Sequence, residues 1–391
     1  MKRLWLLLIV LAGPFALAGV CGATDAPFAP TGSVPDYVAT FDVKPGSGPP
    51  RTIVDTVRRH GAWARTDRII GGHEDTVSYF GPGPVSITVR RDLANALSSL
   101  QIMRGAQAHR SVPWDETAFK TEERETFLGE SCDVWNVARA TTDGPGTSKR
   151  ELKRLSCIAG DGIELWNKFV GPYGESSAVR ATGVERRPVS PSDVLPPSNL
   201  LDLDAWLPKN DSSPPQTGER RGDVTVTMQT ERTAPDGRPL LTRIVQRHFP
   251  WTSTDQVHGD GKRTLAIENV TARLSLRFES DIAGRPARLS MSKTPLVRVM
   301  IGGGEGRPVN LGRTEAIAGE HCTWFDMSPN VMDAGLHQCT TNDGIVLREH
   351  HMSRMHYEPL IAVRIERAPI YPAKIMPPRD ILSRAAWGIP E

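Results

Sequence analysis

The sequence predicts a mainly β protein made of two tandem curled antiparallel sheets with few short helices. Short segments of alternating apolar residues follow one another closely, turn residues join them, and few segments have helical periodicity. One pattern also occurs twice: a Gly-Glu-x-Cys segment, a second cysteine, and an Asp-Gly-Ile-x-Leu segment. The first copy has residues 129–132, Cys157 and residues 161–165, and the second has residues 319–322, Cys339 and residues 343–347.

The repeat extends beyond the cysteines to aligned tryptophans. An Arg-His pair precedes Trp63 in the first copy and Trp251 in the second. Each copy ends on a short apolar stretch that leads to a tryptophan, Trp206 or Trp387. Large aromatic residues at repeated positions are typical of a core, and lining a ligand cavity is the alternative.

The repeat also predicts the domain organisation of the 391-residue chain. A polar segment with Pro and Gly at residues 209–219 is typical of a linker. We therefore predict a first β-repeat domain at residues 36–208 and a second at residues 220–391. Residues 24–35, rich in Ala, Pro, Thr and Gly, are predicted to form a flexible leader.

The N-terminus has the pattern of a secretory signal peptide over residues 1–23. Lys2 and Arg3 form its charged start, and an apolar run over residues 4–11 follows. That run is too short to span a membrane as a helix. A lipid anchor at Cys21 is the alternative, and the valine before this cysteine is larger than an acylation site expects. The predicted location is the periplasm or the outside of the cell.

The composition is that of a globular chain, with 39% apolar and 24% charged residues. A formal net charge of +2 provides no concentrated positive face, and a nucleic-acid partner would need one. We therefore predict a protein that is soluble after signal removal and has no nucleic-acid partner and no cofactor. A hydrophobic ligand or an envelope protein is the expected partner.

Four of the five cysteines form two local pairs within the copies. In an oxidising compartment they predict disulfides between Cys132 and Cys157 and between Cys322 and Cys339. Each closed loop is worth about 3 kcal/mol through the unfolded state. Crossed pairing between the copies is the alternative. A zinc site is not predicted, because no Cys-x-x-Cys pair occurs.

One segment, residues 92–103, differs between the copies. Its leucines lie on one face of a predicted amphipathic helix, with Asp92 as the N-cap. The matching residues 281–286 contain Gly and Pro and cannot form that helix. Laid over the open face of a curled sheet, the helix would act as a lid. The candidate ligand-cavity residues are therefore Trp63, Leu93, Leu97, Leu100 and Trp251.

The repeated histidines His60 and His248 each precede an aspartate by seven residues. A His-Asp pair is suited to acid-base chemistry, but no recognisable nucleophile accompanies either histidine. A structural hydrogen bond or a surface role is the alternative, and no catalytic residue is predicted.

A second histidine group lies on one predicted strand of the second copy. The strand alternation places Glu349 and His351 on one face, with His350 and His356 nearby. Such a group is a candidate metal site, and an ordinary solvent-facing strand is the alternative. The first copy has nothing comparable, so a metal would be specific to the second copy, and no metal site is predicted.

The early Trp-x-x-Thr-Asp strand at Trp63, the Gly-Glu-x-Cys strand and the Asp-Gly-Ile-x-Leu strand resemble those of the LolA/LolB-like superfamily of periplasmic proteins. The resemblance covers both copies. It implies an unclosed β-barrel wrapped on a small helix, with a hydrophobic cavity that holds lipoprotein acyl chains in the named carriers. The duplication, the cysteine pairs and the missing helix of the second copy depart from that family, and no functional residue is carried over.

The expected function follows from the predicted fold and compartment. We expect a secreted or periplasmic, non-enzymatic protein that binds a hydrophobic or lipid-like ligand, in envelope lipid or lipoprotein handling. A structural or protein-interaction module without a ligand is one alternative, and a histidine-dependent enzyme is another. An apolar cavity in the sheet would favour the first, and a filled core would favour the second.

Overall fold

A computed structural model describes most of the chain from Val34 onward. The predicted signal peptide, most of the leader, Cys21, Leu93, the linker at residues 209–219 and His356 lie outside the described residues. The described ranges are 34–45, 52–82, 85–92, 96–104, 119–142, 150–171, 174–207, 222–293, 308–328, 334–353 and 359–390.

Within the described residues, the first copy forms eleven strands whose sequences alternate between apolar and polar residues. One face of each strand can therefore be buried while the other meets water. The strands are β1 (Tyr37–Lys44), β2 (Ile53–His60), β3 (Trp63–Ile70), β4 (His73–Gly81), β5 (Val85–Arg91), β6 (Leu97–Arg104), β7 (Phe119–Phe127), β8 (Glu130–Thr142), β9 (Arg150–Ala159), β10 (Glu164–Gly171) and β11 (Gly174–Glu185).

The described part of the second copy forms the same series of eleven strands. In β12, for example, every second residue is buried. The strands are β12 (Val224–Thr230), β13 (Leu241–His248), β14 (Trp251–His258), β15 (Arg263–Asn269), β16 (Leu274–Ser280), β17 (Pro286–Ser292), β18 (Val309–Ile317), β19 (Glu320–Asp326), β20 (Ala334–Thr340), β21 (Val346–Ser353) and β22 (Leu360–Glu366).

Both copies have the same antiparallel topology. In the first, the strand order is β7-β8-β9-β10-β11-β1-β2-β3-β4-β5-β6. In the second it is β18-β19-β20-β21-β22-β12-β13-β14-β15-β16-β17. The first strand of each copy thus lies between two meanders, and the topology confirms a mainly β, antiparallel and unclosed fold with few short helices.

The two sheets join into one continuous sheet of 22 strands. Strand β6 pairs with β17, where Leu100 lies opposite Met291 and Ile102 lies opposite Leu289. The remaining edges are β7 and β18, and each has an irregular register where its partner pairing shifts. Strand β7 also carries a run of charged side chains. Both features discourage edge-to-edge association with other chains.

The predicted helix over residues 92–103 is wrong, because Leu97–Arg104 form strand β6. The apolar residues that suggested a helical face also fit a strand, since Leu100 and Ile102 alternate and are buried. As a strand, the segment pairs with β5 on one side and with β17 on the other. This long-range pairing favours the strand over a helix. Asp92 instead accepts a hydrogen bond from the backbone N–H of Ala96, just before β6.

One hydrophobic core cluster spans the two copies. It lies on one face of the central strands and includes all four aligned tryptophans: Trp63, Trp206, Trp251 and Trp387. We call this cluster the shared core. Trp206 and Trp387 are completely buried, and their indole N–H groups donate to the backbone carbonyls of Leu200 and Ile381, at 3.0 and 2.9 Å.

The tail that follows the last strand of each copy covers the shared core. The first tail contains helix α1 (Pro191–Val194) and the second contains α2 (Pro372–Ile375), with 3₁₀ turns at Ser198–Leu201, Leu203–Ala205 and Ala385–Trp387. Arg104 of β6 donates to the carbonyl of Ala386 in the second tail at 3.0 Å. Arg384 of that tail donates to the carbonyl of Pro196 in the first tail at 2.9 Å. The tails therefore hold the two copies together.

In each copy, the acidic residues of the repeated sequence motif form an ion-pair cluster beside the cysteine pair. Arg186 contacts Glu130 and Asp161 of the first copy, and Arg367 makes the equivalent contacts in the second copy. Hydrogen bonds from Arg367 hold the pKa of Asp343 well below its usual value. The predicted partners Cys132 and Cys157 have Cα atoms 5.4 Å apart, and Cys322 and Cys339 are 5.3 Å apart, which is a disulfide distance.

Gly81 at the end of β4 makes room for the ring of Trp63. A Cβ atom at position 81 would lie 2.6 Å from that ring, so Gly81→Ala should push the indole out of the shared core. We expect a loss of about 1–3 kcal/mol in the free energy of unfolding, measured by thermal denaturation. Gly183→Ala is the control, because a Cβ there meets nothing within 4 Å. Equal melting of the two variants would contradict this role.

Candidate ligand-binding cleft

The first copy has an open cleft of about 460 Å³ on the sheet face opposite to the shared core. Strands β1 to β4 and β10 to β11 curl to form it. Residues two strands or more apart, such as Thr76 of β4 and Asn167 of β10, therefore line one space. The lining residues are Tyr37, Phe41, Asp55, Val57, Thr66, Arg68, Thr76, Ser78, Phe80, Glu164, Asn167 and Val179.

Strand alternation explains why these side chains share a face. In the register of β2 and β3, Val57 lies opposite Thr66 and Asp55 lies opposite Arg68. Directly opposed residues of an antiparallel pair point to the same side. The intervening residues of β3, such as Trp63, point to the shared core instead.

An ion pair crosses the wall of the cleft. Arg68 donates from Nε and Nη2 to the two carboxylate oxygens of Asp55, at 2.8 and 2.7 Å. Asp55 is buried, and this parallel two-bond geometry is the strong form of an arginine-carboxylate pair. The charge of Asp55 is thereby balanced within the wall.

A second polar network lies at the β10 side. Glu164 accepts from Ser156 at 2.5 Å, from Asn167 at 3.0 Å and from Arg154 at 3.1 Å. Burial raises the pKa of Tyr37, so its hydroxyl stays neutral beside this network. The cleft thus combines apolar walls with carboxylates that already have partners.

The same place in the second copy is bridged. Arg243 of β13 occupies the position of Asp55, and Glu349 of β21 occupies that of Asn167. Arg243 Nη1 lies 3.1 Å from Glu349 Oε2, although two strands separate β13 from β21 and a flat sheet would put the two positions about 14 Å apart. The curl of the sheet brings the two long side chains together. Asp55 and Asn167 are too short to form such a bridge.

Further contacts hold the bridge in place. Gln338 Nε2 and His351 Nε2 lie 3.1 and 3.0 Å from the Glu349 carboxylate, and Gln256 can present its amide oxygen to Arg243 at 2.8 Å. Burial would raise the pKa of Glu349. The hydrogen bond from His351 and the charge of Arg243 outweigh that effect and lower the pKa to about 2. This carboxylate therefore stays ionised in the folded protein.

The repeated histidines fasten the tails to the sheets. His60 Nδ1 lies 2.7 Å from Asp36 Oδ2, and Asp36 also accepts from the backbone N–H of Val189 in the first tail. His248 and Asp223 repeat the arrangement with Ile370 of the second tail. The hydrogen bond from His60 is the main cause that lowers the pKa of Asp36. These contacts agree with the structural alternative for the two histidines.

The second histidine group is divided between two faces of β21. His351 contacts Glu349 on one face, whereas His350 is exposed and lies opposite His337 of β20. Within the described residues, no group of three or more His, Cys, Asp or Glu side chains could hold a metal ion.

The structure places the candidate cavity residues away from the cleft. Trp63, Leu97, Leu100 and Trp251 come together in the shared core, and all four are buried. Leu93 lies outside the described residues. None of the four described residues lines the cleft, so a role for them in contacting a ligand stays a prediction.

Sequence reasoning missed the residues that line the cleft. Their signal was available in the alignment of the two copies, where Asp55 stands in place of Arg243 and Asn167 in place of Glu349. Polar residues at strand positions that face inward in both copies indicate a functional or bridging role. Only the curl of the sheet shows which of these positions meet across the face.

The fold and the cysteine pairs define a duplicated antiparallel β protein of an oxidising, extracytoplasmic compartment. No helix within the described ranges has the length and hydropathy needed to cross a membrane.

No protein family matches the sequence, and no curated protein matches it. Among solved structures, the crystal structure of MucB is similar over 68% of this chain and 90% of that chain, with 10% sequence identity and a TM-score of 0.27. A likeness at this TM-score supports no conclusion about fold or function. The resemblance to the LolA/LolB-like superfamily therefore stays a prediction.

Proposed function

We propose that the protein is a secreted or periplasmic, non-enzymatic protein that binds an amphipathic, lipid-like ligand in the open cleft of the first copy. The observation that supports this proposal is the cleft itself. Its volume of about 460 Å³ lies within the usual range of small-molecule sites, about 300–1,000 Å³. Phe41, Val57, Phe80 and Val179 provide an apolar surface for the ligand. Handling of envelope lipids or lipoproteins is the role that best fits this ligand and compartment.

The state of the charged groups supports binding over catalysis. Asp55 and Glu164 are both engaged by arginines. A general base must instead be able to accept a proton from a bound substrate. No serine or cysteine nucleophile is paired with a histidine among the hydrogen bonds of the cleft residues.

The test fills the cleft with one large side chain. Val57→Trp places an indole between the apolar walls, while Val245→Trp makes the same change at the equivalent strand position of the second copy. The probe is N-phenyl-1-naphthylamine, an uncharged apolar fluorophore that brightens on burial. We expect saturable binding by the wild type, at least a tenfold weaker affinity for Val57→Trp, and an unchanged affinity for Val245→Trp.

Circular dichroism and thermal melting of both variants check that they remain folded. Binding by Val57→Trp at the wild-type affinity would show that the cleft is not the site. A wild-type protein that neither binds the probe saturably nor yields lipid on organic extraction would contradict the proposed function itself.

A further inference from the structure

We infer that the ligand of the cleft carries an uncharged, hydroxyl-rich head group, as a glycosyl-headed amphiphile does. This inference rests on the proposed function and names the chemical class of the ligand. The hydrogen-bonding groups on the cleft wall support it.

A purely apolar ligand does not fit this wall. An acyl chain laid against Arg68, whose side chain is 44% exposed, and the half-buried Thr66 would take these groups out of water without replacing the hydrogen bonds that water makes to them. Such burial costs several kcal/mol for polar groups in an apolar environment. Part of the ligand must therefore be polar where it faces β2 and β3, with its apolar part against Phe41, Phe80 and Val179.

The charges of the wall are balanced, which disfavours an ionic head group. A sulfate or phosphate would meet the carboxylates of Asp55 and Glu164, and an ammonium would meet Arg68 and, behind Glu164, Arg154. Repulsion of this kind is how a site rejects the wrong ligand. A neutral head group meets neither repulsion.

The remaining polar groups both donate and accept. Thr66, Thr76 and Ser78 place hydroxyls on the cleft wall. The Thr76 hydroxyl donates to Asp75 at 2.6 Å and keeps its acceptor sites, and the row continues to Thr88, whose Oγ1 lies 3.4 Å from Ser78 Oγ. A hydroxyl has one donor and two acceptor sites. Arg68 adds N–H groups beyond the two it gives to Asp55. A head group with several adjacent hydroxyls matches this mixture of donors and acceptors.

The experiment compares three single-chain amphiphiles with the same octyl tail. Octyl β-glucoside, octyl sulfate and octyltrimethylammonium are each titrated below their micelle concentrations against wild-type protein loaded with N-phenyl-1-naphthylamine. We expect the glucoside to displace the fluorophore at a concentration at least tenfold lower than either ionic amphiphile.

Two conservative variants test the charge balance directly. Asp55→Asn leaves Arg68 unbalanced and should improve displacement by octyl sulfate several-fold. Arg68→Gln, which introduces the residue type found at Gln256 of the second copy, should improve displacement by octyltrimethylammonium. Thermal melting checks that both variants are folded, and the wild-type ranking of the three amphiphiles stands without them.

The outcomes separate this inference from the proposed function. Equal displacement by all three amphiphiles, or a preference for an ionic one, overturns the head-group inference and leaves binding in the cleft intact. Failure of the wild type to bind the fluorophore at all overturns the proposed function and the inference with it.

Discussion

Replacing Trp387 with alanine is expected to lower the free energy of unfolding by about 3–5 kcal/mol. The side chain is 0% exposed, its ring meets Phe278 edge-on with centroids 6.5 Å apart, and its N–H donates to the carbonyl of Ile381. Alanine would leave a large cavity and an unsatisfied carbonyl in the shared core. Chemical denaturation measures the loss.

The same variant should weaken both copies, because the shared core belongs to both. Hydrogen exchange followed by mass spectrometry should show faster exchange in β6 of the first copy as well as in β17 of the second. Tyr371→Ala is the matched control in the same tail, since Tyr371 is 73% exposed, and it should change stability by no more than about 0.5 kcal/mol. Faster exchange confined to the second copy would contradict a core that both copies share.

Replacing Glu349 with alanine is expected to cost about 3 kcal/mol of stability, because it leaves the half-buried guanidinium of Arg243 without its charged partner. Glu349 is 8% exposed, and the side chains of Gln338, His351 and Gln256 contact the pair. Removing both charges avoids this penalty. The double variant Arg243→Met/Glu349→Leu should therefore lie within about 2 kcal/mol of the wild type, as measured by chemical denaturation.

The pH dependence of stability provides a second readout of the bridge. The pKa of Glu349 falls from 4.5 to about 2 on folding. The stabilisation that the ionised Glu349 provides is fully present above pH 4.5, where this carboxylate is ionised in the unfolded chain as well. It is lost as the pH falls towards 2. A shift of this size corresponds to about 3 kcal/mol. The double variant should lose less stability over this interval, and identical acid unfolding of the two proteins would contradict a low pKa for Glu349.

The local chemistry of the sequence was sufficient to predict the strands and the repeat. Strands such as β12 are indicated by apolar residues that alternate with polar neighbours. The turns beside Cys157 and Cys339 are indicated by Asp-Gly pairs. Both signals involve only residues that are close along the chain. The pairing of Cys132 with Cys157 was predictable for the same reason, since a hairpin brings the two cysteines together whatever the rest of the fold does.

The helix predicted at residues 92–103 shows where local reasoning stops. Leucines at positions 97 and 100 fit a helix and a strand almost equally well, and only the strand can pair with β17 of the second copy. The free energy of that long-range pairing, with Leu100 against Met291 in the shared core, decides between the two conformations.

Composition, strand alternation and the duplicated cysteine motif thus established a mainly β protein of two repeats with two local cysteine pairs. Tertiary structure decided that the two sheets become one, that the aligned tryptophans form one core, and that the first copy keeps an open cleft which the second copy closes. The physical reason is distance along the chain. The curl of the sheet brings Arg243 to Glu349, which is 106 residues further along the chain, and no local pattern encodes which distant positions face each other.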